Sequence, residues 1–315
     1  MLFDAPPASV QPQSVGDLIG QAFRIYRSYL PNFLKVLLGP TIVATLGAIG
    51  LQWAITYGLS LDSPTLPSPP VWALIGVSVL TLLGAKLILT VRQLAFVRII
   101  TGFAADYPSA HEFMKKRQWR LLTVFLVGLI WTVLATGLWA GALVLALELS
   151  RTGFLMAMLG LVGVLGAPVG IIACLCTILI VGFLVVSVIA CEDQSLTAAI
   201  SRGLRLTFAN FPRSCGFSVL LYLAVTALSF PLSLPLIIVS IWTVLEQGVS
   251  GESFLATSRL PFQLIVFSQI WDSLINMLLW PAIFLAFGLF YLDLRLRFEG
   301  LDLDRSLDQL EAKAI

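Results

Sequence analysis

The sequence predicts an all-α, polytopic membrane bundle of six transmembrane helices joined by amphipathic helices at the membrane surface. Three observations predict it. Hydrophobic residues make up 58% of the 315 and charged residues only 11%, well below the roughly 25% charge of soluble domains. Apolar runs longer than about 18 residues recur, each enough to cross a hydrocarbon core of roughly 30 Å. The basic residues are segregated: with six crossings, all 19 lysines and arginines except Arg151 and Arg259 fall on one side. The net charge of +2 is too small to point to nucleic acid.

The spans are read at 33–59, 71–97, 121–148, 166–190, 214–245 and 272–294. Lipid offers the backbone no hydrogen-bond partners, so each must be helical. The basic bias puts the N-terminus, the 98–120 and 191–213 loops and the C-terminus on the cytoplasmic side. A multi-pass protein of the bacterial inner (plasma) membrane with both termini cytoplasmic is therefore expected. Residues 1–13 carry no Lys or Arg and no apolar core, so a disordered leader is expected there and not a cleaved signal peptide. Residues 14–297 form one membrane domain, and 298–315 a cytoplasmic tail that follows a helix broken at Gly300.

Ahead of the first span lies an amphipathic helix. Ser14 is its N-cap, with Asp17 three residues on in an approximate capping box. Val15, Leu18, Ile19, Ala22, Phe23, Tyr26, Tyr29 and Leu30 share one face; Asp17, Gln21, Arg24, Arg27 and Ser28 take the other. Such helices lie in the interface plane, and Pro31 is expected to end this one and turn the chain inward. A second copy starts at Ser195, where Arg205 matches Arg24 and Pro212 matches Pro31. A weaker copy starts at Ser109, with Glu112 in the capping-box place. A three-fold repeat of elbow plus helical hairpin follows, at about 14–105, 106–191 and 192–297.

Three stretches exceed one crossing. Gly160, Gly163, Gly166, Pro168 and Gly170 interrupt the charge-free run from Gly153, and Gly166 and Gly170 would let a neighbouring helix approach. Pro231 and Pro235 predict a kink or break in the fifth span. Segments 153–165 and 259–271 read as interfacial, as re-entrant or as parts of long tilted helices. The simplest reading of the latter is interfacial, with Trp271 among the headgroups.

The candidate lipid-headgroup contacts are Arg24, Arg27, Lys115, Lys116, Arg117, Arg202 and Arg205. Lys86 lies six residues, roughly 9 Å, before Arg92, and it snorkels to the headgroups in the simpler reading. If the sixth span began near Pro261, Lys86, Asp272 and Asn276 would instead form an intramembrane polar site. Glu192 and Asp193 are expected to cap the third elbow, and Asp293 to pair with Arg295 and Arg297. His111 is the sole histidine, and Cys174, Cys176, Cys191 and Cys215 read as small packing residues. No metal, cofactor or catalytic constellation is expected, hence no enzyme. The expected function is a non-enzymatic scaffold or accessory protein that contacts anionic lipid and membrane partners. The alternative is a carrier for a small solute or lipid, since transporters place sites at interrupted helices.

Three stretches, "SVGDLIGQAFRIYRSYLPNFL", "CEDQSLTAAISRGLRLT" and "FYLDLRLRFEGLDL", resemble the glycerophosphoryl diester phosphodiesterase membrane domain family of prokaryotic membrane proteins. The likeness covers about 14 to 310. It implies a six-helix domain with amphipathic elbows. The catalytic barrel fused to some members would need histidine and acidic metal ligands in a soluble domain of about 250 residues, and no such domain is expected here. No site residues come with the membrane part.

Overall fold

The computed structural model describes residues 13–58, 69–150, 177, 179–249 and 262–299. Among them the regular elements are all helical. Helix α1 runs Val15–Trp53 and passes into a π turn, Ala54–Gly58; α2 is Pro69–Ile100, α3 Tyr107–Lys116, α4 Gln118–Ser150, α5 Leu179–Cys191, α6 Leu196–Ala209, α7 Phe211–Val249 and α8 Phe262–Glu299. Five of these, α1, α2, α4, α7 and α8, are long and apolar enough to cross a membrane. The expected fourth span enters the described residues only as the short α5. Segment 153–165, the Gly166 and Gly170 pair and the tail beyond Glu299 lie outside them.

Helices α2, α5 and α8 run in the same direction; α2 and α5 finish together, level with Gly288 to Tyr291 of α8, which runs on to Glu299. Val97 of α2 faces Gly288 of α8, whose missing side chain makes room for it. Arg98 Nη1 donates to the Ala190 carbonyl at 2.7 Å, near the last turn of α5. Phe183 of α5 stacks on Phe287 of α8 at 4.5 Å. The core sits here: Leu94, Phe96, Leu184, Ile189, Phe290 and Tyr291 are all fully buried. Helices α1, α4 and α7 run the other way around this trio. Gly47 of α1 lies so close to α2 that a Cβ would stand 3.0 Å from the Leu82 nitrogen, Arg120 Nη1 at the start of α4 reaches the Gln194 carbonyl, and Phe217 of α7 stacks on Phe290 at 4.0 Å. The outer helices are thinly covered. None of the most apolar 18-residue stretch of α7 is buried, and only 11% of that of α4.

Helix starts follow the predicted chemistry in two of three places. Ser14 accepts from Asp17 N at 3.2 Å, and Ser195 accepts from Ala198 N at 3.4 Å, each with the extended backbone of an N-cap. The middle helix is different: Asp106, not Ser109, caps it, and Pro108 takes the first turn, where its missing N–H costs nothing. Glu192 and Asp193 do not cap α6, because Ser195 already does. At the end of α2 the Phe103 N–H returns to the Arg98 carbonyl and the Gly102 N–H to that of Ile99, with Gly102 at φ 81°. This is a Schellman closure, for which glycine is the natural residue.

The prolines do not end helices. Pro31 lies inside α1, and Pro231 and Pro235 lie inside α7, with no break at either place. Likewise 262–271 is no separate interfacial segment but the first turns of α8, and Trp271 Nε1 donates across to the Leu232 carbonyl of α7 at 2.7 Å. Pro31 is tolerated because it and Arg27, whose carbonyl it leaves without a donor, are both exposed. Residues 15–30 nevertheless lie across the bundle and do not project past it. A straight helix would carry Gln13 about 30 Å beyond Phe33. Yet Phe33 stacks on Phe96, and Gln13 bonds Asp293, only about 7.5 Å along α8 from the Gly288 that faces Val97.

Pro40 is a second interior proline and is buried. It frees the Val36 carbonyl, and Arg92 Nη1 of α2 donates to that oxygen. Arg92→Leu is expected to cost about 1–3 kcal/mol by orphaning it. Pro40→Ala in the same chain restores an intrahelical donor and should recover part of the loss. Thermal unfolding of the detergent-solubilised protein measures both.

Candidate functional site

Where α2 and α5 end beside the last turns of α8, the charged side chains form a girdle. Its most buried member is Asp293, 2% exposed. Its Oδ2 accepts from Arg213 Nη2 at 2.7 Å and from Arg297 Nε at 3.1 Å, and its Oδ1 from the Gln13 N–H at 3.1 Å. Arg213 and Arg297 also donate to the Gln13 carbonyl, at 2.7 and 3.0 Å. Gln13 is thus anchored and not part of a disordered leader. Of the two pairings expected for Asp293, that with Arg297 forms. Arg295 turns instead to Glu192, 3.3 Å away.

Glu192 is the second node, 10% exposed. It takes the Tyr291 hydroxyl proton in a hydrogen bond and pairs with Arg202 at 2.7 Å. The third node joins α3. The guanidinium groups of Arg98 and Arg117 lie over the Phe113 ring at 3.5 and 3.3 Å from its centre, a contact worth about 0.5–2 kcal/mol each. Arg117 pairs with Asp193, and the hydrogen bond and charge it supplies hold that carboxyl below the usual carboxylate range. On α3, burial and the cations Arg92 and Lys115 push His111 down, and burial pushes Tyr107 up. Their rings stack, 5.6 Å apart.

The predicted headgroup residues divide. Arg24, Arg27, Lys115, Lys116 and Arg205 are exposed, with Lys116 lightly paired to Glu112 at 2.9 Å. Arg117 is only 8% exposed, and Arg202 is drawn to Glu192. Both are engaged by the acids that follow α5, Arg117 by Asp193 and Arg202 by Glu192. The proposed trio of Lys86, Asp272 and Asn276 does not form a buried polar site. Lys86 and Asp272 are both exposed, and Asp272 accepts from Asn276 Nδ2 at 2.7 Å along one face of α8. Among the described residues no group of three His, Cys, Asp or Glu side chains could hold a metal ion.

Sequence reasoning missed Glu192, Asp293, Tyr291, Arg98 and Arg213 as parts of one girdle. The available signal was acidic residues placed directly at the ends of apolar runs, where an unpaired carboxylate is costly. Two of the three distinctive stretches meet in the girdle, Glu192 and Arg202 from one and Tyr291, Asp293, Arg295 and Arg297 from the other, beside the Gln13 that precedes the third.

Beside the girdle lies an apolar groove of about 260 Å³ between α2, α4, α5 and α8. Leu121, Phe125, Gly128, Gly182, Phe183 and Trp280 are among its walls. No family model, curated protein or solved structure matches the chain.

Proposed function

We propose that this protein is a non-enzymatic membrane scaffold that gathers anionic lipid and apolar partners around a rigid helical trio. One observation carries the reading: the buried carboxylates Glu192 and Asp293 are spent on arginines in the girdle, while other cations, Arg24, Arg27, Lys115 and Arg205 among them, face outward. Groups so paired are poor acids, bases or ligands, and outward cations attract lipid phosphates at about 1 kcal/mol each. The alternative is a carrier for a small solute or lipid; a polar solute would want a polar path past the helices, and the groove offers hydrocarbon.

In this proposal the girdle faces the cytoplasm of a bacterial cell, as the basic excess requires. The common direction of α2, α5 and α8 supports a three-fold repeat in which each is the returning helix of a hairpin, and the exposed charged faces of α1 and α6 support elbows at the interface. A sixth crossing would comprise α5 and residues before it. Shared ancestry with the phosphodiesterase-associated membrane domain is proposed on the three stretches that resemble it.

The test uses the full chain in vesicles containing a fluorescent phosphatidylglycerol. Local enrichment of that lipid around the protein should fall about fivefold for each of Arg24→Gln, Arg27→Gln and Arg205→Gln, with thermal stability unchanged. No change on removing all three, or saturable solute flux through the wild-type chain, contradicts the scaffold reading.

A further inference from the structure

We infer that the groove between α4, α5 and α8 is a specific site for one acyl chain of an anionic phospholipid, whose headgroup sits where α3 meets α4. This rests on the reading of the chain as a lipid-contacting membrane scaffold.

The walls select hydrocarbon. Their few polar atoms are already engaged: the Thr90 hydroxyl donates to the Lys86 carbonyl at 2.9 Å, that of Thr132 to Gly128 at 2.8 Å, and Trp280 Nε1 to Asn276 Oδ1 at 2.8 Å. A polar solute would find no partner there and would lose its hydration. The groove also opens sideways, since Phe125 and Leu129 line it and are 55% and 51% exposed. That direction is toward lipid.

Its length fits one leaflet. Along α4 the lining runs from Leu121 to Thr132, eleven helical steps or about 16 Å, close to half of a hydrocarbon core of roughly 30 Å. The Leu121 end lies beside the girdle. There Lys115 and Lys116 close α3, and Trp119, 69% exposed, stands in the first turn of α4. Lysines that attract a phosphate and a tryptophan of the kind found at headgroup level therefore mark the mouth. The charge complements an anionic headgroup.

Two glycines keep the space open. A Cβ at Gly128 or Gly182 would meet no atom within 4 Å, although both line the groove. A first side-chain carbon can thus be added at either position without collision, which makes these two glycines the places to fill the groove.

The experiment counts lipids retained by the full chain in native mass spectrometry after addition of phosphatidylglycerol or phosphatidylcholine to the detergent-purified protein. One phosphatidylglycerol per chain is expected. Gly128→Leu and Gly182→Leu should each weaken retention at least about tenfold, equivalent to 1.4 kcal/mol, at wild-type melting temperature. Lys115→Gln with Lys116→Gln should bring the preference for phosphatidylglycerol over phosphatidylcholine toward parity. Unchanged retention in both glycine variants overturns the inference, as does a dimer that either variant disperses, since a second copy would then fill the groove. Should the leucine variants unfold, phosphatidylglycerol with brominated chains must quench Trp280 fluorescence, read as the difference from Trp280→Phe; absence of that quenching also overturns it. Failure here with the Arg24, Arg27 and Arg205 response intact removes the groove alone, whereas failure of both removes the scaffold reading too.

Discussion

Asp293→Ala is expected to destabilise the detergent-solubilised protein by about 3–5 kcal/mol, the loss typical of removing one partner from a buried ion pair. The carboxylate is 2% exposed and serves three donors, Arg213, Arg297 and the Gln13 N–H. Without it two guanidinium groups lie together with no countercharge, and the start of α1 loses its tie to α8. Asp293→Asn keeps the shape but exchanges two charge-assisted acceptors for one neutral one, so it should fall between. Arg213→Met in the Asp293→Ala background should return part of the stability by removing an orphaned charge. Melting curves followed by size-exclusion chromatography read all three. A loss below about 1 kcal/mol for Asp293→Ala would show that Arg213 and Arg297 reach water easily and that the girdle is a surface feature.

Glu192→Ala should be comparably damaging. Here one carboxylate holds Arg202 of α6, Arg295 of α8 and the Tyr291 hydroxyl, so three elements meet on it. The expected loss is about 3–5 kcal/mol, with α6 the first element to detach. Protection of the α6 amides from hydrogen exchange, relative to those of α8, measures that directly. Packing opposes detachment: Gly203 brings α6 so near α5 that a Cβ would lie 3.2 Å from the Val185 backbone nitrogen. If Glu192, Arg202 and Arg295 are all changed to leucine, desolvation of the charges disappears with the pairs, and most of the stability should return. Persistence of the full loss in that triple variant would mean that the pairs specify geometry which apolar packing cannot replace.

Much of the frame was legible in the residues. Length and hydropathy located the long helices, and Ser14 and Ser195 announced two helix starts because capping is a local affair between a side chain and an N–H three residues on. The apolar stripe of α1 was also readable: Leu18, Ile19, Ala22 and Tyr26 are buried and Arg24 and Arg27 are not. Its partner was not readable, since periodicity says which face is hidden and nothing about whether protein or lipid hides it. The prolines misled for a related reason. A proline in a helix costs about 3 kcal/mol in isolation, but Pro31 sits where exposure relieves it, and Arg92 answers Pro40 from another helix. The girdle was least legible. Lys116 and Arg117 are neighbours of the same charge, yet one is exposed and the other is 8% exposed beneath Phe113 and Asp193. Only the turn between α3 and α4 separates their fates.

The Gln13 clasp orders the birth of the molecule. Its two sides stand 280 positions apart, so at about 5–20 residues per second the ribosome needs roughly a quarter of a minute to a minute to deliver the second after the first. Through that interval the nascent chain holds Gln13 and the leading turns of α1 without their lock. The last of the described helices to be translated is therefore the one that fastens the first, and a chain cut short before it leaves an unfastened end for membrane proteases to find.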